Sequence, residues 1–326
     1  MSQPSYQRSP GWTPAADADP DLAASYARCQ ELTREHGRTY YLATRLLPAE
    51  KRPSVYALYG LARHADEIVD DLADSSGVAD RTARLSRFAD RILRDLASGH
   101  SSDPVGRAVV DTAARWSLDH RLFEAFFTSM TMDLTVTGYQ SWDDLQGYVE
   151  GSAAVIGLQM LPILEPVTGD PVLLDLAAAA ARDLGVAFQL ANFIRDVGED
   201  LDRGRLYLPL ADLAEFGLAR ADLERRVVDD RVRALLAFQI QRVHRLRDSA
   251  ASGIALLHPT SRPCIAAALT MYCGIADRVA QLDYAVFSTR ATVPLPARLA
   301  TAAHAWHQVR LARRRGADWD RVAAFA

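Results

Sequence analysis

Two short acidic patterns carry the chemistry of this chain. The first is Asp66-Glu67-Ile68-Val69-Asp70-Asp71 and the second is Asp196-Val197-Gly198-Glu199-Asp200. Each contains two aspartates four residues apart, a little over one helical turn. At about 100° per residue, Asp66 and Asp70 share one helix face, roughly 40° apart, and so do Asp196 and Asp200. Paired carboxylates on adjacent turns repel each other, and burial raises their pKa values unless a cation stands between them. A divalent metal relieves that repulsion. Mg²⁺ takes a few carboxylate oxygens and completes its shell with water and substrate phosphates, and Mn²⁺ is a feasible substitute.

The neighbouring residues sharpen this reading. Tyr59, Arg63, Asp66 and Asp70 fall within roughly 60° of arc, beside an apolar stripe of Leu58, Ala62, Ala65 and Val69. Gln189, Asn192, Asp196 and Asp200 fall within roughly 80°, beside Val186, Leu190, Phe193 and Val197. In both cases the acids border the buried face, whereas solvating charges belong opposite it. Gln189 and Asn192 add neutral oxygen donors, and Arg63 and Arg195 supply guanidinium groups for phosphate oxygens. Two facing carboxylate pairs holding metal ions that bridge to a diphosphate is the expectation.

Other chemistries lack their residues. The eight His show no metal-ligand spacing, and His304 with His307 reads as part of a surface or core helix face. Cys29, Cys264 and Cys273 form no CxxC pair and read as free thiols of a reducing compartment. No P-loop, GxGxxG or nucleophile elbow occurs. Gly198 inside the second acidic pattern marks either a close backbone approach or a tolerated glycine. With a net charge of -4 and no domain-wide basic face, nucleic acid is not an expected partner.

The elements that must position the aspartates read as helices nearly throughout. Of the 326 residues, 49% are hydrophobic and 24% charged, which excludes a disordered chain, and the three cysteines exclude a disulfide-stapled one. Helical periodicity covers a segment from Pro20 toward Gly37, then 49–72, 78–98, 104–117, 119–137, 142–163, 171–201, 222–253, 260–284 and 294–314. Asp19-Pro20 provides a helix start. No alternating strand run, repeat or long linker appears. The pattern predicts one all-α domain over 19–314 with a shared core. Residues 1–18 read as a disordered leader and 315–326 as a tail. Arg313, Arg314 and Arg315 could touch anionic lipid. No signal peptide is visible, and apolar stretches such as 264–276 fall short of the roughly 20 residues that span a bilayer. A cytoplasmic protein, at most peripheral to a membrane, is expected.

At its acidic patterns the chain resembles the phytoene and squalene synthase family of head-to-head prenyl transferases, over about 26–296. Arg63-His64-Ala65-Asp66-Glu67-Ile68-Val69-Asp70-Asp71 is similar to the family's first aspartate-rich motif. Gly185-Val186-Ala187-Phe188-Gln189-Leu190-Ala191-Asn192-Phe193-Ile194-Arg195-Asp196-Val197-Gly198-Glu199-Asp200 is similar to its second. The segment from Tyr148 to Gly157, Thr44-Arg45-Leu46-Leu47-Pro48 and Arg205-Leu206-Tyr207-Leu208-Pro209 also fit, best with the bacterial phytoene synthase branch. The resemblance implies an isoprenoid-synthase-type helical bundle around a central apolar cavity, with Asp66, Asp70, Asn192, Asp196 and Asp200 as Mg²⁺ ligands and Arg63 and Arg195 beside the diphosphates. It further implies that Arg38, Tyr40, Tyr59, Tyr148, Gln189, Tyr284 and Arg290 contact substrate. Gly37-Arg38-Thr39-Tyr40 departs from the Ser-rich flap of many relatives, which puts hydroxyl-specific roles there in question.

The implied reaction joins two geranylgeranyl diphosphates through a cyclopropylcarbinyl diphosphate to 15-cis-phytoene, with no need for NADPH. Small residues such as Ala153, Ala154, Gly157 and Ala191 either give long chains room or serve helix packing. The alternatives are a squalene or dehydrosqualene synthase using farnesyl diphosphate, and a non-catalytic assembly member of the same fold. The apolar product suggests a peripheral membrane contact.

Overall fold

The computed structural model describes residues 19–70 and 77–323, without the side chains of Arg38 and of 315–323. The leader 1–18, Asp71 and the last three residues lie outside the described residues. Fourteen α-helices are found among the described residues. They are α1 (Pro20–His36), α2 (Arg38–Thr44), α3 (Arg52–Val69), α4 (Gly77–Ser98), α5 (Pro104–Trp116), α6 (His120–Met132) and α7 (Trp142–Val149). They continue as α8 (Val155–Leu164), α9 (Pro171–Asp202), α10 (Leu210–Glu215), α11 (Arg220–Glu224), α12 (Asp230–Gly253), α13 (Arg262–Gln281) and α14 (Leu295–Ala323).

An Asp-Pro start recurs. Asp19, Asp103 and Asp170 each precede a proline at the first helical position and accept a backbone N–H of the first turn, opening α1, α5 and α9. Helix ends are equally local. Gly99 and Gly204 take positive φ after α4 and α9, and Glu165, at φ 55, ends α8. The expected segment 222–253 divides in two. Arg226 turns left-handed at φ 56, so α11 stops and α12 restarts at Asp230, capped by Asp229. The last helix passes residue 314 without a break and runs to Ala323.

The segment 142–164 corrects one expectation. It forms a continuous helical run, Trp142–Leu164, long and apolar enough by length and composition to cross a membrane. Half of its most apolar window is buried within the fold, as in the core helix of a globular protein. A π-turn at Glu150–Ala154 joins α7 to α8, adding one residue to the turn. Gly157 then lies against α9 so closely that a Cβ would sit 2.0 Å from the Ala181 carbonyl oxygen. Ala154 and Ala191 are fully buried. For these positions packing decides the small side chain.

Three apolar clusters build the interior. One joins α1 and α3–α6 to a face of α8; the second joins α9, α12 and α13 to residues 206–223. A smaller third cluster links α2, α8, α13 and α14. Lys51, the only lysine, is buried between them. Its Nζ donates to Ser261 Oγ at 2.9 Å and pairs with Glu165 Oε2 at 2.5 Å, tying three loops together.

Candidate active site

The amphipathic pattern of α3 and α9 places both acidic pairs where the first two clusters meet. Leu58, Ala65 and Val69 bury one side of α3, and Leu190, Phe193 and Val197 one side of α9. Asp66 is exposed by surface area yet lies deep in the protein mass. Tyr40 is likewise 37% exposed while packed between Tyr59 and Tyr272, at ring-centroid distances of 5.8 and 4.5 Å. Asp66 and Tyr40, close enough for the carboxylate to act on the phenol, are thus both accessible to a ligand.

One segment bridges the two acidic pairs. Immediately after α9, the Arg205 backbone N–H donates to the Asp200 carbonyl at 2.8 Å, and its guanidinium donates to Asp70 Oδ1 at 3.1 Å. Arg203 pairs with the other Asp70 oxygen at 3.4 Å. On the opposite side Arg195 forms a two-pronged ion pair with Asp196, and Arg290 reaches Asp196 at 3.2 Å and Glu199 at 2.6 Å. Arg63 is held by Glu67 at 2.9 Å. Asp70 and Asp196 thus have guanidinium partners.

Their companions make no such direct pair, and Arg63 near Asp66 and Arg203 and Arg205 near Asp200 offset their burial only in part. Burial, then the Asp70 and Asp133 carboxylates, push the Asp66 carboxyl up to about 7. Asp200 is pushed up to about 7 by burial and by Asp196. Each pair therefore keeps one carboxyl whose ionisation calls for an added cation. No group of three His, Cys, Asp or Glu side chains among the described residues is placed to cage an ion alone. Open pairs suit a hard divalent ion that completes its shell with water and phosphate oxygens, so the donor set fits Mg²⁺. Gln189 and Asn192 are half-buried on α9, about two turns and one turn before Asp196.

Sequence reasoning missed the floor of the site. Asp133, at the end of α6, is buried and accepts Tyr148 Oη at 2.7 Å and Tyr207 Oη at 2.8 Å, one on each oxygen. Burial holds its carboxyl above the ordinary range, while both phenol hydrogen bonds pull it back. The signal available was a single acid in the apolar run Met130-Thr131-Met132-Asp133-Leu134. Arg205 and Tyr207 belong to the family-like segment Arg205-Leu206-Tyr207-Leu208-Pro209, whose spacing gives neither residue a role. Tyr272 gave no signal within α13; its ring stacks on Phe188 at 4.6 Å, against Tyr40.

One expected substrate contact needs correction. Tyr148 is only 2% exposed and its hydroxyl is committed to Asp133, so it supports the interior and does not present itself to a ligand. Tyr284 turns left-handed after α13 and is half-buried at the edge of the second cluster, and the aromatic beside Tyr40 is Tyr272. The same turn explains Gly198. Its Cβ would stand 3.2 Å from the Val286 carbonyl oxygen, and this close approach leads the chain to Arg290. Gly37 has an equally local reason, since a Cβ there would fall 2.6 Å from the Tyr59 ring. The Arg38 side chain lies outside the described residues.

The squalene/phytoene synthase family model matches residues 33–297, and that stretch contains every site residue named above. The chain belongs to the squalene/phytoene synthase family. Among relatives of this synthase, the phytoene synthase of Arthrospira platensis is 38% identical over 86% of this chain and 91% of that protein. The 15-cis-phytoene synthase of Synechocystis is 35% identical over 90% of this chain and 88% of its own. A solved dehydrosqualene synthase superposes with a TM-score of 0.79 at 25% identity, covering 89% of this chain and 98% of that one. The squalene synthase of Alicyclobacillus acidocaldarius gives 0.72 at 26% identity, covering 81% and 96%. The all-α architecture is therefore that of the family.

Proposed function

We propose that this chain is a 15-cis-phytoene synthase that condenses two geranylgeranyl diphosphates head to head and releases two diphosphates. The observation that carries the reading is the pair of Asp-x-x-x-Asp motifs near the ends of α3 and α9, bridged by Arg205, in a chain most of whose length aligns with named phytoene synthases. Mg²⁺ held by Asp66, Asp70, Asp196 and Asp200, with Asn192, would neutralise the diphosphate leaving groups. Arg63, Arg195, Arg203, Arg205 and Arg290 stand on the same rim and can turn from carboxylate to phosphate oxygens.

The aromatic wall does the complementary work. Tyr59, Tyr40, Tyr272 and Phe188 form a continuous ring cluster beside the acidic motifs. Their ring faces attract a cation and exclude the water that would quench it. Asp133 holds Tyr148 and Tyr207 in place. The reading includes work at the cytoplasmic side of a membrane that takes up the apolar product. The buried free thiols of Cys29, Cys264 and Cys273 are compatible with such a compartment.

A second reading has its own support in the solved dehydrosqualene and squalene synthases, namely a farnesyl diphosphate substrate. One assay separates the two. Purified protein with Mg²⁺ is given geranylgeranyl or farnesyl diphosphate, with and without NADPH, and the organic extract is analysed by mass spectrometry. A C40 hydrocarbon without NADPH supports phytoene synthesis. A C30 product moves the function to the squalene branch, and no product from either substrate removes both readings.

A further inference from the structure

The C-terminal helix carries a surface that the reaction chemistry leaves unused. α14 packs on α13 along a single seam, where Ala305 and Val309 are buried. Leu295, Leu299 and Trp306 are 54%, 53% and 54% exposed. At about 100° per residue these three fall within roughly 40° of arc, on a flank of the helix beside that seam. Arg310 and Arg313 continue the same line, both exposed, and the Arg310 guanidinium lies 4.4 Å from the Trp306 ring centroid. Between Leu295 and Arg314 the sequence has Arg298, Arg310, Arg313 and Arg314 and no Asp or Glu, in a chain of net charge -4.

We infer that this flank of α14 docks on an anionic lipid surface. Leucine and tryptophan in line, continued by arginines without acids, is the composition that lies in a bilayer interface plane. The apolar groups enter the acyl boundary, the indole sits at headgroup depth, and the arginines meet lipid phosphates. The local excess of Arg complements a negative surface, and the rest of the chain, being net acidic, does not. A second copy of the chain fits less well. A two-fold contact through this stripe would set its arginines either against the same arginines of the other copy or against Leu295 and Leu299, with no carboxylate between 295 and 314 to pair them. The benefit to catalysis rests on the proposed reading, in which substrate tails and product are apolar; the binding itself does not.

The test is flotation of the full chain with phosphatidylcholine vesicles, with and without phosphatidylglycerol, at low and high salt. The chain is expected to float with the anionic vesicles and to be released by salt. Leu295→Ser/Leu299→Ser/Trp306→Ser, and separately Arg310→Ala/Arg313→Ala, should each weaken binding about tenfold or more. Circular dichroism and product formation on detergent-dispersed substrate should be unchanged in both variants. Equal flotation of the variants and the parent overturns the inference, as does no flotation with either vesicle. A triple variant that converts a dimer to a monomer without altering flotation assigns the stripe to a second copy. Flotation that is lost on removal of residues 1–18 and is unaffected by the α14 variants assigns binding to that segment and overturns the inference. Because flotation needs no turnover, it stands or falls separately from the product assay.

Discussion

The two acidic pairs are alike in sequence and unlike in how the fold treats them. On α3 the pair sits at the very end of the helix, with Asp70 as its C-cap, where the helix dipole already disfavours negative charge. Its cations, Arg203 and Arg205, come from more than 130 positions along the chain, and Arg205 is nearly buried. On α9 the pair lies within the helix, which runs on to Asp202. Asp196 takes the adjacent Arg195 and the exposed Arg290. One pair draws its part-buried cation from a distant segment, the other from the adjacent residue, with an exposed arginine of a surface turn as a second partner. Similar ligands therefore differ in what their loss should do to the protein.

The largest effect comes from removing a ligand of either pair. Asp66→Ala and Asp196→Ala should each lower product formation by on the order of 10²- to 10³-fold or more while circular dichroism stays helical. Near-parental turnover in either variant would break the equivalence of the two pairs. Next in size, Arg205→Met leaves Asp70 and the Asp133 network short of a buried cation. It should cost about 1–3 kcal/mol in denaturant unfolding and ten- to a hundredfold in activity. Arg290→Met, at the exposed partner, should change stability by less than about 1 kcal/mol. Equal losses in the two variants would erase the contrast drawn above.

A pH experiment tests both pairs at once. Asp66 and Asp200 have folded-state values of about 7 against an ordinary 3.8, so the folded, metal-free protein holds more protons than the unfolded chain. Its stability should fall as pH rises from about 4 to about 7 and then level off. Mg²⁺ favours the ionised form, so its gain in melting temperature should be larger at about pH 8 than at about pH 5.5. Asp66→Asn/Asp200→Asn should flatten both trends; an unchanged slope would assign it to other groups. The smallest effect belongs to Gly198→Ala. Crowding the Val286 carbonyl costs about 1–3 kcal/mol, and improved helix propensity returns about 1. A small net destabilisation with a raised KM should result, through displacement of Arg290.

What was legible at the site follows from range. Asp66 with Asp70, and Asp196 with Asp200, are recognisable because helical periodicity relates residues four apart, and the same periodicity located most helices. Asp133, Arg205 and Tyr272 have no periodic relation to those motifs, so their roles could not be read from spacing. Tyr284 and Tyr272 lie twelve positions apart on or beside one helix. Only the packing of α13 on α2, which carries Tyr40, brings Tyr272 to it. The division at Arg226 was missed for a related reason, since one left-handed residue interrupts a pattern that otherwise continues.

Sequence alone determined the helical class, the two carboxylate pairs and their borders with apolar stripes, all consequences of local stereochemistry and side-chain transfer free energy. Tertiary structure decided which carboxylates receive direct guanidinium partners and which are left at about 7, that Tyr40 and Asp66 stay accessible, and that Tyr148 faces Asp133. Those outcomes depend on distances and burial between segments far apart in the chain. Electrostatic energies are set by such distances and by desolvation, and neither exists until the helices have packed.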